Sequence, residues 1–341
     1  MQNLNIYILA IESSCDDTSC AILRNDVVLA NITANQKIHE QYGGVIPELA
    51  SRDHQKNIVP VINEALKKAN IELGQLSAVA VTIGPGLMGS LLVGLSFAKS
   101  LSMALSIPLI EVNHMQGHIL AHFIKENETY APPSFPFLCL TVSGGHTQLV
   151  KANDHLTFEI LGSTIDDAVG EAFDKAAKIL GLPYPGGPLI DKLAKEGDST
   201  KFKFASSNVP GFDYSFSGIK TSFLYFIQNS LQKDADFVTK NLNDICASYQ
   251  AHLIKVLLKN VKALLKETGI KQLAIAGGVS ANSELRKQIK ELETELKIEA
   301  FIPKFEYCTD NAAMIGITAY YKFLQNDFGN LSSVPQARMS L

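Results

Sequence analysis

Two histidines four residues apart, His114 and His118, are the strongest chemical signal in the sequence. They lie in the run VNHMQGHIL, and this spacing puts both imidazoles on one face of a helix, where they could bind one metal ion. A pair of core or surface histidines that has this spacing by chance explains the pair alone equally well. Other segments must therefore decide between a metal site and a structural pair.

The neighbours of the pair restrict its chemistry. A zinc peptidase of the HExxH type needs a glutamate directly after the first histidine as general base, and position 115 is Met. His122 continues the series by one turn and is interpreted as a residue of the helix surface. A carboxylate would complete a two-histidine, one-carboxylate site, which suits iron or another borderline divalent metal and leaves positions for substrate oxygens. Asp310, in YCTDNAAMIG, is the candidate.

Length and apolar content predict a folded protein of two domains. The 341 residues, of which 46% are apolar, suffice for two separate cores. The run NIYILAIESS has the length of a strand and no basic segment before it, so the sequence predicts a cytosolic protein. The longest apolar segment, 87–105, contains Lys99 and several serines, which favours burial in a core or an interface over a membrane span.

The cysteines and the net charge further restrict the class of protein that the sequence can encode. The five cysteines form no C-x-x-C pair and are odd in number, which fits reduced thiols and indicates neither a disulfide framework nor a cysteine zinc knuckle. A net charge of −4 argues against generic nucleic-acid binding, although a local basic face could still contact phosphates.

The order of the predicted elements indicates a mixed α/β chain with an internal repeat. Three opening strands are predicted at IYILAIES, SCAILR and VVLANIT, with the polar turn SCDD between the first two. The same pattern returns at FLCLTVSGG, TQLVKA and FEILGSTI. The repeat predicts two similar lobes, formed by residues 1–133 with 312–341 and by residues 134–311.

Further helices and strands connect and follow the repeats. The segment between them predicts a helix at HQKNIVPVINEALKKAN, a buried strand at AVAVTIG, the long apolar helix, and a strand PLIEV that leads into the histidine helix. The run KQLAIAGGVSANSELRKQI predicts a strand, a glycine turn and a helix capped by Ser280 or Asn282. Such turns present backbone N–H groups to phosphates or ribose hydroxyls. Residues 243–269 predict a structural amphipathic helix.

The repeated lobes and the strand-to-helix GG turn resemble the actin, sugar kinase and Hsp70 (ASKHA) superfamily, which implies an adenine-nucleotide cleft between two duplicated mixed-sheet lobes. More specifically, the sequence resembles the TsaD/Gcp family in motifs that cover nearly the whole chain in order: IESSCDDT, GGVIPELASRDH, GPGLMGSLLVG, NHMQGHILAH, VSGGHTQLV, DDAVGEAFDK, YPGGP, DYSFSGIKT, AGGVSAN and TDNAAMIG.

This resemblance implies a tRNA-modifying acyltransferase. Members of the family move a threonylcarbamoyl group from threonylcarbamoyl-adenylate to N6 of an adenosine beside the anticodon, in tRNAs that read codons beginning with A, and release AMP. The implied cofactors are one divalent metal ion, iron or zinc, and an adenylate substrate or ATP in the cleft. The implied partners are tRNA, a smaller paralogue, TsaB, and an ATPase, TsaE, and no membrane.

The resemblance also implies site residues. The metal ligands of the family fall on His114, His118 and Asp310, in agreement with the ion site inferred from side-chain chemistry. The adenylate contacts fall on one segment and four separate positions: Thr141, Val142, Ser143, Gly144, Gly145, Asp174, Gly187, Asp191 and Asn282. Hydroxyl and backbone donors in the segment suit a phosphate, and the Asp174 carboxylate suits ribose hydroxyls. Asp16 is the catalytic candidate for proton transfer, with an ordinary Asx turn as the alternative.

Several alternatives remain open at the level of sequence. Cys15 is interpreted as a small buried hydrophobe rather than a nucleophile. His146 is either a ligand or a structural residue, and Lys220 either faces tRNA phosphates or caps a loop. The small residues of the long apolar helix permit close docking of a partner. A metallopeptidase and a noncatalytic ATP-binding module are the competing functions.

Overall fold

The computed structural model describes residues 5–125, 130–205 and 209–341. Within these ranges, the strands are β1 Tyr7–Glu12, β2 Thr18–Arg24, β3 Val27–Ala34, β4 Ala78–Gly84, β5 Leu109–Asn113, β6 Phe137–Val142, β7 Thr147–Ala152, β8 Phe158–Ser163, β9 Gln272–Ala276 and β10 Glu299–Phe301. The α-helices are α1 Pro47–Ala69, α2 Met88–Leu105, α3 His114–Leu120, α4 Val169–Ile179, α5 Gly186–Ala194, α6 Ser217–Leu231, α7 Phe237–Thr268, α8 Ser283–Leu296 and α9 Ala312–Leu324.

The chain divides into two compact units. Unit 1 comprises Met1–Pro133, Asp154–Thr157 and Pro303–Leu341, and unit 2 comprises Ser134–Asn153 and Phe158–Ile302. The chain therefore returns to unit 1 at Pro303, whereas the predicted lobe boundary lies at residue 312. As a result, Asp310 belongs to the same compact unit as the two histidines. The predicted lobes themselves, 1–133 with 312–341 and 134–311, stay a prediction.

The sheet of unit 1 has the strand order β3-β2-β1-β4-β5. Strands β1 to β3 are antiparallel neighbours, while β4 and β5 run parallel to β1. Strand β4, AVAVTIG, is buried at every position, as expected of a parallel strand covered on both faces. Leu9 and Ile11 of β1 share a core with Ile62 of α1 and Leu95 of α2.

The sheet of unit 2 repeats this arrangement in the order β10-β9-β6-β7-β8. Strands β6 to β8 form the antiparallel part, and β9 and β10 run parallel to β6. The core of this unit is built mainly from α4, α6 and α7 packed on the sheet, with Phe173, Phe223 and Tyr249 among its large buried side chains. The predicted duplication of a mixed-sheet unit is therefore confirmed.

Helix boundaries differ from the predictions where local structure changes. Helix α1 begins at Pro47 rather than at residue 54, because proline at the first helical position loses no hydrogen bond. Helix α7 begins at Phe237, before the predicted start at 243. The assignment of His122 to a helix surface is wrong: α3 ends at Leu120, and His122 is buried in a 3₁₀ turn. That turn has about three residues per turn, so the four-residue face does not continue.

Helix α2 is the one helix in the described ranges whose length and apolar composition would allow it to cross a membrane. A third of its apolar window is buried inside the protein, 33%. Leu91, Leu95 and Ala98 are completely or almost completely buried. Core helices meet the same length and composition criteria, which makes this weak evidence for a span.

Two adjacent glycines after β9 provide a matched test of this fold. Gly277 has a φ of +86°, and a Cβ built on it would lie 2.5 Å from the Val142 carbonyl oxygen, whereas a Cβ on Gly278 would contact nothing within 4 Å. Gly277→Ala should therefore lower the free energy of unfolding by at least about 2 kcal/mol. Gly278→Ala, the control, should change it by less than about 1 kcal/mol. Urea unfolding of both variants measures this, and equal stabilities would contradict it.

Candidate functional site

The histidine pair lies at the start of α3, directly after β5. Asn113 ends β5 and caps the helix, because its side-chain oxygen accepts from the backbone N–H groups of Met115 and Gln116. His114 and His118 follow on one side of this short helix, both buried, with ring centroids 4.7 Å apart and nearly perpendicular planes. The predicted helix that brings the two imidazoles together is confirmed.

Asp310 approaches both imidazoles from the loop before α9. Its Oδ1 lies 3.3 Å from Nε2 of His114 and 3.3 Å from Nε2 of His118. One donor atom from each of the three residues lies within 4.8 Å of the others. The next residue, Asn311, caps α9 by accepting from the N–H of Met314, which fixes the loop beside the histidines. The predicted set therefore forms one cluster.

Glu12 orients the first histidine and is not among the site residues predicted from the sequence. This carboxylate has no solvent exposure, and its Oε2 lies 3.0 Å from Nδ1 of His114 and accepts from the Thr82 hydroxyl at 2.6 Å. The Ser14 hydroxyl lies 3.2 Å from the same Nδ1. With Nδ1 held in this way, Nε2 faces Asp310, which is the usual arrangement of a metal-binding histidine and its supporting carboxylate. A lone acid at the end of the apolar run YILAIE was the available signal.

His118 has the properties of a metal ligand. Neither of its ring nitrogens has a hydrogen-bond partner among the described residues, and the 3.3 Å approach of Nε2 to Asp310 lacks hydrogen-bond geometry. An unpartnered buried polar group costs about 1–3 kcal/mol, so native proteins rarely retain one without a reason. Two imidazole nitrogens and a carboxylate oxygen form a donor set that fits zinc or iron.

The opposite charges in the cluster shift the pKa values of its members. Burial lowers the pKa of His114, but the carboxylates of Asp310 and Glu12 outweigh burial and hold that pKa well above its usual value. Burial also works against the ionised carboxylates, yet His114 holds the pKa values of Asp310 and Glu12 below their usual range. Burial lowers the pKa of His118, which keeps this ring in the neutral form that ligates metals.

The turn between β1 and β2 carries the candidate Asp16. Asp16 is half-buried there, and its neighbour Asp17 accepts from the Asn35 amide at 2.7 Å. Burial and the adjacent carboxylates raise the pKa of Asp17 to about 7. Burial and Asp16 together raise the pKa of the Cys15 thiol far above its usual value, which disfavours the thiolate that a nucleophile needs. The proton-transfer role of Asp16 stays a prediction.

The expected adenylate segment ends strand β6 in unit 2. Thr141 pairs with Ala276 of the parallel strand β9, so the turns after β6 and β9 leave the same edge of the sheet. Two hydrogen bonds between Ser143 and His146 close the turn. The backbone N–H of Ser143 donates to the His146 carbonyl, and the Ser143 hydroxyl accepts from the His146 N–H. Space surrounds Gly144 and Gly145, where an added Cβ would meet nothing within 4 Å. These glycines leave backbone N–H groups accessible to a ligand.

The other expected adenylate contacts have structural partners in unit 2. Asp174 Oδ1 accepts from the N–H groups of Gly186 and Gly187 at the start of α5. Burial raises the pKa of Asp174, although these two hydrogen bonds favour the ionised carboxylate. Asn282 caps α8 by accepting from Leu285, as one of the two predicted caps. Asp191 Oδ1 accepts from the backbone and hydroxyl of Ser283. Contacts of Asp174, Gly187, Asp191 and Asn282 with a nucleoside stay predictions.

Comparison with known proteins identifies the family. A family profile described as TsaD, tRNA N6-adenosine threonylcarbamoyltransferase, matches residues 27–317. A relative of that name from Christiangramia forsetii is 62% identical over 338 residues, which cover 99% of each chain. Another from Porphyromonas gingivalis is 54% identical, also over 99% of each chain. The chain belongs to the TsaD family.

Solved structures confirm the fold class of this TsaD family member. HypF in its phosphate- and nucleotide-bound form matches with a TM-score of 0.61 at 13% identity, over 98% of this chain and 48% of HypF. Component A of (R)-2-hydroxyglutaryl-CoA dehydratase from Acidaminococcus fermentans matches with a TM-score of 0.52 at 17% identity, over 93% and 98%. Both agree with the predicted two-lobed ASKHA α/β fold, and at such identities the likeness concerns the fold alone.

Two further TsaD motifs, DDAVGEAFDK and DYSFSGIKT, contact each other in unit 2. Asp166 accepts from the hydroxyls of Ser215 and Ser217 at 2.6 Å each. Asp167 Oδ2 accepts from Lys220 at 2.8 Å and from Lys175 at 3.0 Å. Lys220, whose role the sequence left open, therefore joins α6 to the segment before α4.

Removal of the Glu12 charge should weaken metal binding without a change in the ligands. Glu12→Gln should lower the affinity for Zn²⁺ about 10- to 100-fold, because the amide no longer supports Nδ1 of His114 as a carboxylate does. Competition with a chromophoric chelator measures the affinity. The control is Glu64→Gln, an exposed residue of α1, which should bind as the unmutated chain does. Equal affinity in both variants would remove Glu12 from the metal site.

The raised pKa of Asp17 predicts how stability depends on pH in the metal-free protein. Folding keeps this carboxyl protonated up to about pH 7, whereas its ordinary pKa is 3.8, so its contribution falls as pH rises between these values. Asp17→Asn cannot ionise and should remove this loss, so that its stability relative to the unmutated chain increases from pH 4 to pH 8. Urea unfolding across that range tests the difference, with Asp327→Asn at an exposed site as control. A pH-independent difference would contradict the prediction.

Proposed function

We propose that this protein transfers the threonylcarbamoyl group of threonylcarbamoyl-adenylate to N6 of the adenosine beside the anticodon, in tRNAs that read codons beginning with A. The observation that carries the proposal is the full-length match to relatives named tRNA N6-adenosine threonylcarbamoyltransferase, at up to 62% identity. The clustering of His114, His118 and Asp310 supports it, because it provides this chain with a metal-binding donor set.

The residues of unit 1 would hold one metal ion. His114, His118 and Asp310 are the proposed ligands, and their donor types suit iron or zinc. When bound, such an ion supplies Lewis acidity toward carbamate or phosphate oxygens. Glu12 keeps Nε2 of His114 directed at the site through its contact with Nδ1.

The residues of unit 2 would bind the adenylate. The open turn formed by Ser143, Gly144 and Gly145 offers hydroxyl and backbone N–H donors to the phosphate of the adenylate. Asp174, Gly187, Asp191 and Asn282 are the proposed neighbours of the nucleoside, with ATP as an alternative occupant. Backbone partners hold the side chains of Asp174, Asp191 and Asn282 in fixed orientations before a ligand binds.

The reaction itself is an acyl transfer to an amine. The N6 nitrogen forms a bond to the carbamoyl carbon, the bond from that carbon to the phosphate oxygen breaks, and AMP leaves with the bonding pair. The nitrogen loses one proton in this step, and Asp16 is the proposed acceptor because its carboxylate lies in the turn directly after β1. The step requires no covalent enzyme intermediate.

The proposed setting is a cytosolic complex with tRNA, the smaller paralogue TsaB and the ATPase TsaE, without a membrane. Helix α2 supports docking of a protein partner, because Met88, Leu92 and Met103 on it are between 52% and 63% exposed. Exposed apolar side chains grouped on one element are typical of interfaces.

Mass spectrometry of nucleosides from bulk tRNA tests the proposal. Cells depleted of this protein should lose threonylcarbamoyladenosine, and expression of the unmutated chain should restore it. His114→Ala should restore less than about a hundredth, because one proposed ligand is missing, while Asp327→Asn at an exposed site should restore it fully. Circular dichroism of the purified variants checks that both are folded. Persistence of the nucleoside after depletion would refute the function, and full restoration by His114→Ala would refute only the metal assignment.

A further inference from the structure

A groove in unit 2 is lined by lysines and lies outside the metal and adenylate residues. It has a volume of about 560 Å³ and follows α7 on one side and the chain segments around residues 199–204 and 213–215 on the other. We call it the lysine groove, because Lys203, Lys255 and Lys259 line it. His252 lines it as well. All three lysines are exposed.

The lysines of the groove carry uncompensated charge. Within the described ranges, no carboxylate oxygen lies within 4.0 Å of Nζ of Lys203, Lys255 or Lys259. Other lysines of the same unit are paired, such as Lys201 with Asp244 at 2.6 Å and Lys262 with Glu295 at 2.7 Å. The groove is therefore a local positive surface on a chain whose net charge is −4.

Within the described ranges, Asp213 is the one acid that lines the groove, and one of its carboxylate oxygens is already hydrogen-bonded. Its Oδ1 accepts from the backbone N–H of Ser163 at 2.8 Å. Burial, with the nearby Lys255 charge, lowers the pKa of His252, so the ring is neutral and adds polar contacts rather than charge. Hydroxyls of Ser199, Thr200 and Ser215 also line the walls.

The spacing of the charges follows the helix. Lys255 and Lys259 are one turn apart on α7, and Lys266 continues the same exposed face, about 16 Å from Lys255 along the axis. A row of ammonium groups suits a chain of phosphates, which is recognised without regard to sequence. An apolar protein partner would leave these charges buried and unpaired, which costs a large desolvation free energy.

We infer that the lysine groove binds the phosphate backbone of the tRNA substrate. This inference rests on the proposed function, since it names the surface that contacts the same substrate away from the reacting adenosine. The groove would contribute affinity and position the tRNA, and would leave the chemistry at the adenosine to the other residues.

The test uses the full-length protein with its partner proteins and an unmodified transcript of a tRNA that reads a codon beginning with A. The groove variant is Lys203→Gln/Lys255→Gln/Lys259→Gln. The matched control, Lys233→Gln/Lys271→Gln/Lys297→Gln, removes the same charge from exposed positions of unit 2 that do not line the groove. The measurements are KM and kcat for tRNA, KM for the adenylate, and the dependence of tRNA binding on NaCl concentration.

The groove variant should show KM for tRNA raised about 10-fold or more, with kcat and KM for the adenylate unchanged. The slope of log affinity against log salt is negative, and its magnitude should become smaller by about 2 to 3, close to one per lysine. The control variant should behave as the unmutated chain does.

Other outcomes would overturn the inference. An unchanged KM and salt slope in the groove variant would do so, as would an equal loss in the control. If the groove variant instead loses a partner protein in sedimentation while KM for tRNA is retained, the groove is a protein interface. If the unmutated chain binds tRNA but transfers nothing, the proposed function fails, and the binding measurements still decide the groove.

Discussion

The contact between Glu12 and His114 is the constraint on which the candidate site depends. A carboxylate without solvent exposure is costly unless its lone pairs have partners, and Glu12 obtains its partners from the turn after β1, from β4 and from α3. These partners lie near the carboxyl ends of parallel strands, where the central sheet of unit 1 opens toward its loops. The position and ring orientation of His114 therefore follow from the packing of the sheet, and Asp310 completes the arrangement from the distant loop before α9.

The two units use one topology for different chemistry. In unit 1, the loops at the carboxyl ends of the parallel strands carry imidazoles and carboxylates, which suit a cation. In unit 2, the corresponding turns carry Ser143, Gly144 and Gly145, which suit an anion through hydroxyl and backbone donors. Among the described residues, the group that could hold a metal ion lies in unit 1. Duplication thus supplied two equivalent sheet edges, and the residues placed there differ in charge and size.

Charge is distributed locally rather than over the whole chain. The net charge of −4 gives no indication of a nucleic-acid substrate, yet unit 2 contains lysines that are paired, such as Lys175 and Lys220, beside lysines that are not. Lys175 and Lys220 hold helices α4 and α6 to Asp167 in the segment before α4, so their charge is internal to the fold. Only the three-dimensional arrangement separates the two kinds.

The sequence by itself determined the family, the duplicated mixed-sheet pattern, the strands β1 to β9 to within a few residues and the three residues of the donor cluster. It could do so because strand and helix periods are local, and because His114 and His118 need only one turn of helix to meet. Tertiary structure alone decided the role of Glu12, the burial of His122 and the pairing of Lys220 with Asp167. Each of these depends on contacts between segments far apart in the chain, and burial and electrostatic partners are properties of that packing rather than of residue spacing.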